Sequence, residues 1–446
     1  MIMAVRQPPG MRADTFERVL LLHIRFPSRL CAIAAALLAI TLPVSAAPAG
    51  AEPAEVTTQA VFNNPIGTAA QRWAIVNKQV ELVDGAPAGS RIRVAMYYAK
   101  EGTFPAALIK AHARGVHVQA IFDHKVVAEN QAPYANLVAA LGSDTTKQSW
   151  AINCGSGRGC VGTRAMNDVS AIQHNKFVLF TETRGTPRVV VQSSANLNDG
   201  RDGTKGWNNA LVLAGNDGIY RAYDSYFDDL AARRANDNYY DTGRPPLASG
   251  NAKIHFFPRA ATSDSVFYGD PSEDTVSTIL DNVKCHGNSV VGTTDSHRTR
   301  IRVSMTQFSR PYLADQLNEL DAQGCYIEVA MTYDAANGLA KRSLEKLLAR
   351  TSSPYGGVIT KYYCAKDATW IHDKYLLVEG HYYGAPDRKI VWAGSHNWTT
   401  NSLRQSDETM LQFESPAIHD AYVANFNATR AATSHQPSNG EAPAAC

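Results

Sequence analysis

The chain repeats a set of short sequence blocks across a spacing of about 200 residues. IRVAM at 92–96 recurs as IRVSM at 301–305, and VVVQSSAN at 189–196 matches IVWAGSHN at 390–397. The blocks occur in the same order in both halves, with offsets of 209 and 201 residues. A repeat of this length indicates a duplicated lobe and excludes a solenoid, whose repeats are about 20 to 50 residues long.

Each copy has the pattern of a β-α-β unit. Pro105 opens a helical stretch that ends at Gly115, and Pro311 opens another that ends at Gly324; β-rich runs flank both stretches. Proline at the start of a helix and glycine just past its end are boundary signals. The predicted fold class is therefore α/β. The predicted division is a leader at 1–46, lobes at 54–240 and 253–434, a polar linker at 241–252 and a tail at 435–446.

Residues 1–46 have the pattern of a secretory signal peptide. An apolar run of 13 residues at 30–42 follows several arginines and precedes small residues that are typical of cleavage sites. A transmembrane anchor is the alternative, but about 20 apolar residues are needed to span a bilayer. Met11 is an alternative start, because the segment before the apolar run is long. We therefore expect a secreted protein.

Removal of the leader also removes Cys31 and leaves six cysteines, an even number that predicts up to three disulfides in an exported chain. Cys154 and Cys160 enclose a short glycine-rich loop and are the one pair that the sequence identifies. The other pairings stay open, and free buried thiols are the alternative.

The leader carries five arginines and two carboxylates, so the rest of the chain has a net charge of −1. The chain without the leader therefore lacks the excess of basic residues that is typical of nucleic-acid-binding proteins.

Two His-x-Lys pairs lie at matching points of the repeat, within QHNKFVLF at 173–180 and IHDKYLLVE at 371–379. Both segments have the pattern of a strand, in which residues two apart emerge on the same side. An imidazole beside a fixed cation suits attack on an anionic phosphodiester. Each pair is followed by Ser-x-Asn. The eight candidate residues are His174, Lys176, Ser194 and Asn196 in the first half, and His372, Lys374, Ser395 and Asn397 in the second.

From about residue 54 to 430 the sequence resembles the phospholipase D superfamily, whose signature is H-x-K-x4-D followed by G-S-x-N. The resemblance implies two lobes, each a mixed β-sheet flanked by helices, that form a pseudo-dimer within one monomeric chain. It also implies that the two motifs meet between the lobes. One histidine would form a covalent phosphohistidine, and the other would protonate the leaving alcohol and then activate the acceptor.

Several positions depart from that signature. Glu379 occupies the acidic position of the second motif, whereas the first motif has Thr181 there, followed by Glu182. In the family a further carboxylate often orients the histidine of its own motif. Glu408 fits that role for His372, and the matching first-half segment offers only asparagines at 208 and 209. Such a carboxylate raises imidazole basicity, which favours His372 as the nucleophile. The family precedent favours His174, and we assign the nucleophile to His174.

Other side chains have simpler interpretations. Asp123, His124 and Lys125 follow a predicted strand and are interpreted as a solvated loop, with the edge of the cleft as the alternative. Trp207 and Trp398 adjoin the motifs and are assigned to packing, with an acyl or headgroup pocket as the alternative. No Cys-x-x-Cys or His-Glu-x-x-His spacing occurs, so we expect no metal and no other cofactor.

The predicted activity is hydrolysis of glycerophospholipids to phosphatidate and free headgroup. The expected partners are phospholipid at a membrane or micelle surface and an acceptor, which is water or an alcohol that gives transphosphatidylation. One alternative is a secreted endonuclease of the same superfamily, which would take nucleic acid as its partner. Another is a binding protein on a decayed catalytic scaffold, although both His-x-Lys and both Ser-x-Asn pairs are intact.

Overall fold

In the first half, strands alternate with helices along the chain. The strands form one sheet, and the helices pack around it. The computed structural model describes residues 54–166, 168–260, 271–349, 354–433, 435, 442, 443 and 446. The predicted leader, including Cys31, lies outside the described residues. The first-half elements are β1 (Gln59–Phe62), α1 (Ala69–Arg72), α2 (Ala74–Asp84), β2 (Arg91–Met96), α3 (Thr103–Ala113), β3 (His117–Phe122), α4 (Lys125–Ala128), α5 (Ala132–Leu141), β4 (Trp150–Asn153), β5 (Lys176–Thr183), β6 (Thr186–Ser193), β7 (Asn209–Leu213) and α6 (Asp217–Ala231).

The second half repeats this series after a short π-helical turn, Tyr239–Gly243. Its elements are β8 (Leu247–Ser249), β9 (Ala252–Phe256), α7 (Thr275–Asp281), β10 (Val283–Lys284), β11 (Arg300–Met305), α8 (Pro311–Ala322), β12 (Tyr326–Tyr333), α9 (Gly338–Leu348), β13 (Ile359–Cys364), β14 (Lys374–Tyr382), β15 (Ala385–Gly394), α10 (Thr400–Arg404), β16 (Thr409–Glu414) and α11 (Pro416–Ala431). The helices that were predicted to begin near Pro105 and at Pro311 are α3 and α8, so both β-α-β units are confirmed.

The two sheets have the same strand order. Within the described residues the first sheet runs β1-β7-β6-β5-β2-β3-β4, and the second runs β8-β9-β16-β15-β14-β11-β12-β13 with β10 beside β14. In both, the three strands at one end are parallel and the remaining pairs are antiparallel. The duplicated α/β fold with a mixed sheet in each lobe is therefore confirmed.

An aromatic core joins the two lobes. Tyr422, on α11 of the second half, packs edge-on against Phe62 of the first half, with ring centroids 4.9 Å apart. In the matching contact, Tyr226 on α6 lies 4.3 Å from Phe256 of the second half. Both tyrosines are fully buried. Because each helix packs on the other half's sheet, the lobes share one hydrophobic core, and truncating a buried aromatic in such a core costs about 3 to 5 kcal/mol.

Three disulfides link the described cysteines: Cys154–Cys160, Cys285–Cys325 and Cys364–Cys446. The first confirms the one pairing that the sequence identified. Three disulfides are compatible with an extracellular location. Among the described helices, none combines the length and the apolar character that a membrane crossing requires.

Candidate active site

The two motif histidines lie where strands of one half meet the chain of the other half. His174 precedes β5, and its backbone N–H donates to the carbonyl oxygen of Asp407 at 3.0 Å. His372 precedes β14, and its backbone N–H donates to the carbonyl oxygen of Trp207 at 2.8 Å. The predicted strands therefore begin at the lysines rather than before the histidines, because the backbone at each histidine pairs across the lobe boundary. Both histidines are almost completely buried.

Glu408 pairs with His174 and not with His372. Its Oε1 lies 2.8 Å from His174 Nδ1, and it also accepts a hydrogen bond from Ser402 Oγ at 2.7 Å. The expectation that this carboxylate would orient the histidine of its own motif is therefore wrong. The reason is the chain crossing, which places the segment before β16 beside the residues before β5 of the other half.

The charge state of this pair follows from its surroundings. The proximity of His174 and Lys176 outweighs burial and lowers the pKa of Glu408 below its usual range. Burial lowers the pKa of His174 to about 4, although Glu408 opposes that effect. A neutral imidazole facing an ionised carboxylate must carry its proton on Nδ1, which leaves the Nε2 lone pair free.

Asn208 takes the corresponding place beside His372. Its Oδ1 lies 2.9 Å from His372 Nδ1, and its Nδ2 donates to the carbonyl oxygen of Gly203 at 2.9 Å, which fixes the orientation of the amide. Burial and the lysine charges lower the pKa of His372 well below its usual range, while a hydrogen bond with the Ser194 backbone opposes this. The two histidines thus have similar geometry, but only His174 has a carboxylate behind it.

Both motif lysines are buried beside the histidines. Lys176 Nζ donates to the carbonyl oxygen of His174 at 2.6 Å, and Lys374 Nζ donates to that of His372 at 2.7 Å and to Thr306 Oγ1 at 3.0 Å. Burial lowers the pKa of Lys374 to about 7 and that of Lys176 well below its usual range. A bound phosphodiester anion would raise both again, because an opposite charge nearby favours the protonated amine.

The serines and asparagines of the two motifs are all buried. Ser194 Oγ donates to Asn208 Oδ1 at 2.9 Å, and Ser395 Oγ accepts from the Thr409 N–H at 3.0 Å. Asn196 Nδ2 donates to Asp202 at 3.1 Å. The Oδ1 atoms of Asn196 and Asn397 are buried, and neither has a hydrogen-bond partner among the described residues.

The acidic positions of the two motifs lie elsewhere. Glu379 is five residues beyond Lys374 on β14, about 17 Å along a strand that rises 3.3 Å per residue. There it pairs with Arg302 at 3.3 Å. The structure therefore does not bring Glu379 to the site, which corrects its inclusion among the catalytic candidates. At the equivalent first-half position, Thr181 Oγ1 accepts from the Arg91 N–H at 2.8 Å.

Two side chains that the sequence did not assign to the site lie beside His174. Asp123 is buried, and its Oδ2 accepts from the N–H of Gln173 at 2.9 Å, so the expected solvated loop is wrong for this residue. The ring of Tyr97 meets that of His174 edge-on at 5.1 Å. Asp123 directly follows β3, and a polar residue at the end of a strand was the sequence signal that could have placed it at the site. Trp207 and Trp398 are both 2% exposed, in agreement with packing.

Two groups of described residues could geometrically hold a metal ion: Cys154 and Cys160 with Asp407, and Cys364 with Asp367 and His435. In both groups the cysteine sulfurs form disulfides. Thiolates, not disulfide sulfurs, are the cysteine ligands of metals. Neither group therefore fits a metal in its oxidised form.

Comparison with known proteins gives the family. A family model described as cardiolipin synthase, PLD-like domain, matches residues 86–231 and 293–430, one segment in each half. A search of curated protein sequences found no significant match.

Two of the matching solved structures share the fold at low identity. Phosphatidylserine synthase from Haemophilus influenzae Rd KW20 aligns with a TM-score of 0.53 at 13% identity, over 83% of this chain and 86% of that one. Polyphosphate kinase from Porphyromonas gingivalis aligns with a TM-score of 0.50 at 13% identity, over 84% of this chain but only 50% of the kinase. The phospholipase D family member Nuc from Salmonella typhimurium aligns with a TM-score of 0.28 at 17% identity, over 40% of this chain and 95% of that one. With a PLD-like segment in each half and both His-x-Lys motifs at the junction of the lobes, the chain belongs to the phospholipase D superfamily of phosphodiesterases.

Proposed function

We propose that the protein is a secreted phospholipase D-type enzyme that hydrolyses glycerophospholipids to phosphatidate and free headgroup. The observation that carries the proposal is the unequal pairing of two similarly placed histidines, Glu408 on His174 and Asn208 on His372. A two-step displacement needs one imidazole that attacks phosphorus and a second that holds a proton for the leaving alcohol. A carboxylate stabilises the positive charge that the attacking imidazole acquires. His174 is therefore the nucleophile and His372 the acid.

In the first step, the Nε2 lone pair of His174 forms a bond to phosphorus, and the bond from phosphorus to the headgroup oxygen breaks. That oxygen takes the proton from Nε2 of His372 and leaves as the free alcohol. The bound phosphodiester anion raises the pKa of His372, so that its imidazole carries a proton at this stage.

In the second step, His372 takes a proton from water while the water oxygen bonds to phosphorus. The bond to His174 breaks, phosphatidate leaves, and His372 is again protonated for the next cycle. Lys176 and Lys374 stabilise the charge on the phosphoryl oxygens in both steps, as preorganised cations do at a buried site. In this mechanism the side-chain amides of Asn196 and Asn397 donate to the same oxygens.

Three observations support a lipid substrate. The matching family model is described as a cardiolipin synthase domain. The chain outside residues 1–46 has a net charge of −1, which disfavours a polyanion such as DNA. The three disulfides fit an exported enzyme that meets phospholipid outside the cell.

A second candidate function is phosphatidyl transfer to an alcohol, and the synthase description of the family model favours it. The same phosphohistidine intermediate serves both reactions, because the acceptor is chosen only in the second step. The two functions differ only in how well an alcohol competes with water.

The test is to incubate the purified protein with vesicles of defined phospholipids and, separately, with supercoiled plasmid. We expect headgroup release from vesicles and no plasmid nicking. The His174→Ala variant serves as the control for contaminating activity. Plasmid nicking without headgroup release would reject the phospholipase in favour of the endonuclease, and inactivity on both substrates would favour the binding protein.

A further inference from the structure

A loop of the first half holds a buried carboxylate of the second half. Three successive backbone N–H groups converge on Asp407: that of Cys160 lies 2.5 Å from Oδ2, that of Gly162 lies 2.6 Å from Oδ1, and that of Val161 lies 3.2 Å from both oxygens. The disulfide from Cys154 to Cys160 closes this loop. Asp407 is completely buried.

The close approach of this loop depends on its glycines. A Cβ at Gly159 would lie 2.7 Å from Asp407 Oδ2, and a Cβ at Gly162 would lie 2.0 Å from the carbonyl oxygen of Gln405. Real Cβ atoms do not occur at such distances, so these positions exclude side chains. The glycine-rich loop between and beyond the cysteines is therefore shaped around Asp407.

Asp407 connects this loop directly to the reacting groups. Its backbone N–H donates to the carbonyl oxygen of Ile172 at 2.9 Å, and its own carbonyl oxygen accepts from the His174 N–H at 3.0 Å. The next residue, Glu408, holds His174 Nδ1 at 2.8 Å. The loop thus fixes Asp407. The backbone hydrogen bonds of Asp407 and the side chain of Glu408 together determine where the imidazole of His174 lies.

The other half has no corresponding carboxylate. Trp207 occupies the equivalent position and makes the same backbone bonds, to Trp370 at 2.9 Å and to His372 at 2.8 Å, with an indole in place of the carboxylate. Among the described residues, the carboxylate that the loop holds therefore has no counterpart on the side of His372.

We propose that Asp407 is a positioning residue, through which the loop closed by Cys154 and Cys160 holds Glu408 and His174 in register across the lobe boundary. The kinetic part of this inference rests on the proposed function, and the geometric part does not. Loss of the carboxylate or of the disulfide leaves the reacting groups in place but loosens their alignment. Misplacement by about 1 Å can cost about 100-fold in rate.

The structure supplies a matched control. Asp387 also accepts three successive backbone N–H groups on an exposed turn, but all on Oδ1: from Ser289 at 3.0 Å, Val290 at 2.9 Å and Val291 at 3.2 Å. Its Oδ2 accepts instead from the hydroxyl of Ser289 at 2.8 Å. Asp407→Asn and Asp387→Asn make the same chemical change, but only at Asp407 does the new amide nitrogen face a backbone N–H donor. Asp387→Asn therefore controls for loss of the charge alone. The disulfides give a second pair of variants, in which Cys154→Ala with Cys160→Ala is compared with Cys285→Ala with Cys325→Ala.

Two readouts test the proposal in the full-length protein. The first is kcat and KM on bis(p-nitrophenyl) phosphate. We expect Asp407→Asn and the Cys154/Cys160 variant to lower kcat by about 10- to 100-fold with KM nearly unchanged, whereas both control variants keep the wild-type kcat. The second is the Nδ1–H signal of His174 in histidine-labelled protein by NMR, identified by its loss in His174→Ala. We expect this signal to shift or broaden only in the first pair of variants.

The outcomes separate the inference from the proposed function. Wild-type protein that releases no headgroup from phospholipid vesicles contradicts the proposed function, and the Nδ1–H signal still tests the positioning role of Asp407. A wild-type kcat or an unchanged Nδ1–H signal in Asp407→Asn overturns the inference. Equal losses of kcat in test and control variants, in proportion to lowered melting temperatures, also overturn it, because they would show a role in stability alone.

Discussion

Replacing Glu408 by Gln removes one charge from the site with little other change. Oε1 accepts from both His174 and Ser402, whereas Oε2 is buried and has no partner among the described residues. A glutamine can therefore keep its oxygen towards His174 and place its amide nitrogen where Oε2 lies. The hydrogen bond and the tautomer are retained, and only the negative charge is lost.

The size of the effect follows from the charge that develops on the imidazole. When His174 Nε2 bonds to phosphorus, the ring becomes positive about 4 Å from the carboxylate, and at an effective dielectric constant of about 20 this attraction is worth about 4 kcal/mol. Each 1.36 kcal/mol is a factor of ten in rate, so we expect Glu408→Gln to lower kcat by about 1000-fold. KM should change little, because the charge matters chiefly in the transition state.

The assay is steady-state hydrolysis of bis(p-nitrophenyl) phosphate, which avoids effects of a lipid surface. Ser402→Ala is the control, because it removes the second donor to Glu408 but keeps the charged carboxylate beside His174, so we expect a much smaller loss of kcat. A Glu408→Gln variant within about tenfold of the wild type would refute the argument that the carboxylate stabilises the attacking imidazole.

Four further predictions concern the same chain. His174→Ala and His372→Ala should each abolish turnover of a soluble diester, because each step needs both imidazoles. Lys176→Met should lose turnover, whereas Thr181→Ala should have little effect; equal losses would contradict the placement of Thr181 away from the site. Ethanol or glycerol should divert product from phosphatidate to phosphatidyl-alcohol, as measured by chromatography, and phosphatidate alone at every alcohol concentration would contradict the covalent intermediate. Burial lowers the pKa of His396 to about 3, so the unfolded chain takes up a proton first as pH falls below about 6.5, and stability declines towards pH 3. His396→Phe should therefore flatten the dependence of Tm on pH between 7 and 4.

The repeat predicted the fold well because its matching blocks mark the same strands, in the same order, in both halves. The equivalence of 92–96 with 301–305 and of 189–196 with 390–397 places four strands, and the helix boundaries at proline and glycine define the crossovers between them. Pairing of Cys154 with Cys160 was predictable, because a short loop keeps its two ends close. Cys285–Cys325 and Cys364–Cys446 depend on how distant segments pack, which a single sequence does not reveal.

The partner of Glu408 could not be predicted from the sequence, because a repeat aligns each residue with its counterpart and says nothing about contacts between the copies. The segment that carries Asp407 pairs with residue 173 of the other half, and this crossing takes Glu408 away from its own motif. The position of Glu379 was predictable in principle. A strand that rises about 3.3 Å per residue places a side chain five residues after Lys374 well away from any group that Lys374 contacts.

A two-step reaction gives two similarly placed histidines different roles, because the first step needs a nucleophile and an acid at the same time. Here the difference lies in one side chain on each side. Both acceptors bind Nδ1 at nearly the same distance, 2.8 Å for the carboxylate of Glu408 and 2.9 Å for the amide of Asn208. Both therefore select the same tautomer and the same ring orientation. Only the carboxylate stabilises a positive imidazole, and this single difference between the two sides is the basis for proposing His174 as the nucleophile.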